Sequence, residues 1–164
     1  MPPPTPYENA IDLLDADHKA VKQLFIQYDA LCEDGAPAED KQQLAEKICN
    51  EIAIHAQIEE EIFYPEVRKA TGDDALIDEA QQEHAAAKEA VAAIQGMSAG
   101  GEGYDEAVQG LARLIDQHVL EEREQIFLQA QYAALDLRGL AEPLARRKAQ
   151  LKKKSAPKKA KEAA

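Results

Sequence analysis

Four stretches of this chain repeat apolar residues at alternating spacings of three and four, the period of a helix that buries one face. Ile11, Leu14, His18, Val21, Phe25 and Tyr28 form the first stripe, and Leu44, Ile48, Ile52, His55, Glu59, Ile62 and Glu66 the second. Ile77, Ala80, His84, Ala87, Val91 and Ile94 form the third; Tyr104, Val108, Leu111, Ile115, His118, Glu122 and Ile126 form the fourth. The stripes predict helices over about 7–31, 38–69, 74–95 and 104–135. Short breaks separate them: Gly35 and Pro37, then Thr71-Gly72-Asp73 with an aspartate suited to an N-cap, then GMSAGGEG at 96–103. Pro65, inside the second stretch, is expected to kink the helix or remove one hydrogen bond. Four long amphipathic helices on short connections predict an all-α fold, an up-down-up-down antiparallel four-helix bundle over residues 7–137. Residues 138–164 form a basic C-terminal extension, expected to hold a short helix over 140–151 and then a disordered Lys/Ala-rich tail.

Composition agrees with helix rather than sheet: aromatics are 5% of the 164 residues, Trp is absent, and Ala, Leu, Glu, Lys and Gln dominate. The net charge of −12 is unevenly spread, because ten Lys/Arg against two Asp/Glu lie from Arg138 onward and the rest is strongly acidic. Such a body excludes nucleic-acid binding except through the tail, where an acidic partner could also dock. The N-terminal residues carry no secretory pattern, and no apolar run approaches the ~18–20 residues of a membrane span. Two cysteines, Cys32 and Cys49, do not make a disulfide framework. Free thiols in a reducing cytoplasm are the expectation.

The four histidines of the chain fall one per stripe: His18, His55, His84 and His118. Two have a glutamate one helical turn later, giving His55–Glu59 and His118–Glu122 on inward faces. A buried ionised carboxylate costs several kcal/mol unless a cation meets it. The pattern also repeats. Asp17-His18 is followed by His55xxxGlu59, and Glu83-His84 by His118xxxGlu122, each trailed by an acidic cluster and Ile-Phe. Two similar hairpins about a pseudo-twofold axis would each supply two histidines and one carboxylate. The product is a symmetric site for two metals, with Glu59 and Glu122 placed to bridge them. Imidazole with carboxylate suits iron, and zinc, manganese and copper fit the donor types as well. Two metals ~3.5–4 Å apart could hold O2, peroxide or a similar small molecule jointly.

These motifs (DHxxV at 17–21, HxxxEEEIFYP at 55–65, EH at 83–84 and HxxxE at 118–122) resemble the haemerythrin-like, HHE cation-binding family over roughly residues 8–135. The resemblance implies a four-helix bundle around a non-haem di-iron centre, oxo- or hydroxo-bridged. His18 and His55 would serve one iron, His84 and His118 the other, and Glu59 and Glu122 would bridge. The sequence departs from the oxygen-carrying members. Where they have a second histidine four residues from the third-helix one, this chain has Ala80 and Lys88 around His84. Their aspartate five residues beyond the last histidine is replaced by Glu122 at four, with Arg123 next. A metal with one fewer histidine leaves room for substrate, which favours reaction over carriage. The expected function is therefore reaction with O2 or hydrogen peroxide, in sensing or in catalase-like breakdown under oxidative stress. Alternatives are a non-catalytic O2 or iron binder or store, a protein related to nitric-oxide or iron–sulfur repair, and a zinc-bound or metal-free interaction module. Glu60, Glu61, Glu83 and Glu121 point away from the inward direction and read as surface or supporting groups. Tyr28, Tyr64 and Tyr104 could hydrogen-bond ligands or carry radicals, but read first as packing residues.

Overall fold

The computed structural model describes residues 7–155, and every regular element among them is helical. Helix α1 (Ala10–Glu33) is started by Asn9, whose side chain accepts from the Asp12 amide at 3.0 Å. Helix α2 (Ala38–Ile58) passes through a π turn at Glu59–Phe63 into α3 (Tyr64–Thr71) without leaving the helical path. Gly72, at φ 68°, closes that rod in the left-handed region that favours glycine. Asp73 then caps α4 (Asp74–Gln95), accepting from the Leu76 amide at 3.1 Å as expected. Helix α5 (Tyr104–Glu121) repeats the second rod's plan, running through a π turn at Glu122–Ile126 into α6 (Phe127–Tyr132).

Pro65 falls in the first turn of α3, directly after the π turn, and the chain stays helical through it. The second π turn forms with Leu128 in the matching place, so proline is not what creates these turns.

The apolar side chains collect into two clusters. In one, Ala10, Leu13 and Leu14 of early α1 meet Ile54, Ile58, Tyr64 and Val67 of late α2 and α3, with Ile77, Ala80, Ile126 and Phe127. In the other, Val21, Leu24, Phe25 and Tyr28 meet Ala45, Ile48 and Ile52, with Ala87, Val91, Ile94, Val108 and Leu111. On each helix the histidine falls between the two clusters: His18 between Leu14 and Val21, His84 between Ala80 and Ala87. The polar layer is thereby sandwiched between two dry ones. At ~25 cal/mol per Å² of apolar area, each fully buried Leu or Ile on these stripes contributes roughly 1.5–3 kcal/mol, the force that holds the histidines inward.

The extension departs from expectation. It forms a long helix, α7 (Leu137–Ser155), instead of a segment confined to 140–151. It lies against α1, α2 and the first π turn. Leu144 and Leu151 enter the first apolar cluster, and Arg147 grips Glu61 with two bonds of 2.7 and 3.1 Å. Residues 152–155, expected to be disordered, continue this helix, and the rest of the expected tail, from residue 156, lies outside the described residues. No described helix is long and apolar enough to cross a membrane.

Candidate metal centre

All six residues singled out as ligands converge. Nε2 of His18 and Nε2 of His55 are 3.1 Å apart; Nε2 of His84 and Nε2 of His118 are 3.2 Å apart. Glu59 lies between the pairs, its Oε1 3.0 Å from His55 Nε2 and 3.3 Å from His84 Nε2. Glu122 does the same from the opposite side: Oε1 is 3.1 Å from His18 Nε2, and Oε2 is 3.5 Å from His118 Nε2. Two donor groups result, His18–His55–Glu59–Glu122 and Glu59–His84–His118, and either could hold a metal ion.

The other ring nitrogens show which way the imidazoles are set. Nδ1 of His55 is 2.9 Å from Asp17, that of His84 is 2.9 Å from Glu60, and that of His118 is 2.9 Å from Glu83. His18 Nδ1 has a longer contact, 3.4 Å to Asp15. A carboxylate on Nδ1 takes the N–H there and leaves the Nε2 lone pair aimed inward, the tautomer a metal requires. The aspartate and glutamate next to the first histidine of each hairpin thus serve the second one: Asp17 serves His55, and Glu83 serves His118.

Glu59 is 0% and Glu122 1% exposed. Both Glu59 oxygens and Glu122 Oε1 receive no properly aimed hydrogen bond among the described residues. Oxygens this buried are normally paired, and leaving them bare costs several kcal/mol. A cation between the carboxylates removes that cost, so the donor set fits a metal pair. Protons partly compensate when the ion is absent. Burial alone would lower the His118 imidazole, but Glu122, Glu59 and Glu83 overcome it and hold the group at about 9. His55 is likewise lifted well above its ordinary value, against its burial, by Glu59 and Asp17. Burial would raise the Glu122 carboxyl, and its close contacts with Glu59, His118 and His18 keep it well below the usual range.

Tyr64 also belongs to the site, which the helical stripes did not indicate. Its hydroxyl is 3.3 Å from His84 Nε2 and 3.4 Å from His118 Nε2, and it donates a short hydrogen bond to Glu122. The cause is the π turn. Five residues beyond Glu59, an α-helix would place a side chain ~140° away. The π turn instead bonds the Tyr64 amide to the Glu59 carbonyl, bringing both side chains to one face. The second π turn does the same for Phe127, which stacks on His18 with ring centres 6.0 Å apart.

Against the histidines lies a cavity of about 30 Å³, walled by Val21, Ile52, Ala87 and Ile115. One water needs ~10–15 Å³ by this measure, so the space suits a molecule of two or three heavy atoms.

Fold and donor set together define an all-helical cation-binding domain. The model of the Hemerythrin HHE cation binding domain matches residues 9–130, and the chain belongs to that family. It is similar in fold to the crystal structure of a Hemerythrin HHE cation binding domain-containing protein from Mycobacterium kansasii. The TM-score is 0.76 at 23% identity, covering 92% of this chain and 91% of that one. No curated protein matches the chain.

Proposed function

We propose that residues 7–137 form an antiparallel four-helix bundle that binds two iron ions and reacts with O2 or hydrogen peroxide. The observation that carries this reading is the convergence of four Nε2 atoms, fixed by carboxylates on Nδ1, upon buried and unpaired oxygens of Glu59 and Glu122. His18 and His55 would hold one ion, His84 and His118 the other, with Glu59 and Glu122 shared. Tyr64 would add an oxygen donor to the second ion, where Ala80 and Lys88 supply none. When bound, the iron pair offers two one-electron changes at adjacent atoms, matching the two-electron demand of peroxide chemistry.

The chain's own side chains prepare the place. Val21, Ile52, Ala87 and Ile115 give the cavity beside the histidines an apolar lining. Tyr64 holds a proton beside Glu122, and burial together with the Glu122 and Glu59 charges keeps that phenol protonated far above its ordinary range in the metal-free chain. Lys88 turns outward to Glu60 at 2.9 Å and tethers the carboxylate that orients His84. The free state of Cys32 and Cys49 accords with a reducing cytoplasm, where we place the protein.

Iron analysis of protein from iron-replete cells should find two irons per chain, with a spectrum that changes when the reduced form meets O2. Peroxide turnover should release one O2 for every two molecules consumed. Zinc as the sole metal ends the iron reading. Negligible O2 release with intact iron leaves binding or sensing as the function.

A further inference from the structure

Helix α7 carries Ala141, Leu144, Lys148 and Leu151 at spacings of three, four and three, an apolar stripe interrupted by one lysine. Ala141, Leu144 and Leu151 are buried, so the stripe delivers Lys148 to the bundle rather than to solvent. Its ammonium meets Asp17 Oδ1. The other oxygen of that carboxylate, Oδ2, is 2.9 Å from His55 Nδ1, and His55 Nε2 is 3.0 Å from Glu59. Asp17 itself is 6% exposed.

The chain of contacts Lys148–Asp17–His55 is absent from the other hairpin. There Glu83 takes the His118 N–H at 2.9 Å, and its neighbour is a second carboxylate, Glu121, rather than a cation. Burial pushes the Asp17 carboxyl up, but its bonds to His55 and Lys148 more than reverse this and keep it ionised.

We propose that Lys148 is a positioning residue for metal: by pinning Asp17 it fixes the rotamer and tautomer of His55, so that α7 secures the ion held by His18 and His55 and has no hold on its neighbour. The proposal rests on the two-metal reading of the site. A carboxylate with one oxygen unpaired swings about its χ angles, and the imidazole it orients follows. Groups behind a metal-binding histidine typically change metal affinity by about 10–100-fold when removed. Arg147 and Lys152, on the same helix, bind Glu61 and Glu51 and do not touch a histidine carboxylate.

The test titrates cobalt(II) alone into metal-free full-length chain, followed by its visible absorption. His118→Ala isolates the ion at His18–His55, and His55→Ala isolates the other. In the first background Lys148→Met should weaken cobalt by at least tenfold, Lys148→Arg should restore most of it, and Lys152→Gln should change nothing. In the second background Lys148→Met should shift affinity less than twofold. Once Asp17→Asn is present, Lys148→Met should add no further loss. Should the Met variant fail to fold, Lys148→Gln, polar but uncharged and one atom shorter, is read the same way. Equal losses in both backgrounds, or no loss in the first, overturn the proposal. A wild-type chain that takes up only one ion removes the two-metal reading instead. The relay is then judged on that ion, standing if Lys148→Met weakens it and falling otherwise.

Discussion

The two halves of the candidate metal centre share a backbone plan and differ in the side chains laid over it. Each half has a histidine from the first helix of a hairpin, a histidine and a glutamate from the second, and a π turn starting at the glutamate. Five residues past the glutamate one half has Tyr64, with its hydroxyl beside His84 and His118, and the other has Phe127, which has no hydroxyl. Behind the second histidine one half has Asp17 with Lys148; the other has Glu83 with Glu121. One position past the glutamate, Glu60 accepts from His84, whereas its counterpart Arg123 cannot accept, and His18 turns to Asp15 at 3.4 Å. The duplication preserves what places the donors and varies what sets their strength. Two metals bound here would be inequivalent.

The sharpest break comes from the shared carboxylates. Glu59→Gln should weaken both ions by more than about a hundredfold, since a bridging anion is lost from each half. His55→Ala and His118→Ala should each cost one ion, and metal-to-protein ratios by elemental analysis distinguish the outcomes.

Making the halves alike is the next test. Tyr64→Phe should weaken the ion at His84–His118 by about 10–100-fold and abolish any visible phenolate-to-iron(III) absorption. Phe127→Tyr should bring such absorption to the other half. Identical spectra for wild type and Tyr64→Phe would remove the tyrosine from the donor set.

Acid–base behaviour of the metal-free chain gives a smaller effect. His118 rises from its ordinary 6.5 to about 9 on folding, so it stabilises the fold fully below 6.5 and progressively less as pH climbs through 9. Denaturant unfolding of metal-free protein should show stability falling from pH 6.5 to 9, and His118→Gln should flatten that fall. Metal uptake should release protons across the same window.

The smallest effect compares the two rod ends. Gly72 ends one in the left-handed region without strain, while Ala134, just past α6, adopts φ 57° with a Cβ to accommodate. Ala134→Gly should stabilise by roughly 0.5–1 kcal/mol, seen as a rise of ~2–3 °C in Tm with metal content unchanged.

How much of this was legible in the sequence follows from helical phase. The stripes located α4 at 74–95 to the residue and brought the six expected ligands together, because burial at a period of 3.6 governs both. The same assumption hid Tyr64. A constant 100° per residue carries position 64 off the inward face, and only the inserted π residue returns it. Asp17, Glu60 and Glu83 were displaced from the stripes by about one residue, so their bonds to rings on other helices depend on how the rods pack. Lys148 went unread because a basic run suggested solvent, although Ala141, Leu144 and Leu151 already spelled the buried face.

The cavity of about 30 Å³ has a consequence for selectivity. Its walls at Val21, Ile52, Ala87 and Ile115 offer aliphatic carbon and no hydrogen-bond donor, so on that side they discriminate by girth. For the proposed peroxide chemistry, the expected behaviour is that of a sieve whose cutoff lies between hydrogen peroxide and an alkyl hydroperoxide. Trimming Ile52 to Ala would widen the mesh and admit tert-butyl hydroperoxide, with no change to any group that binds metal.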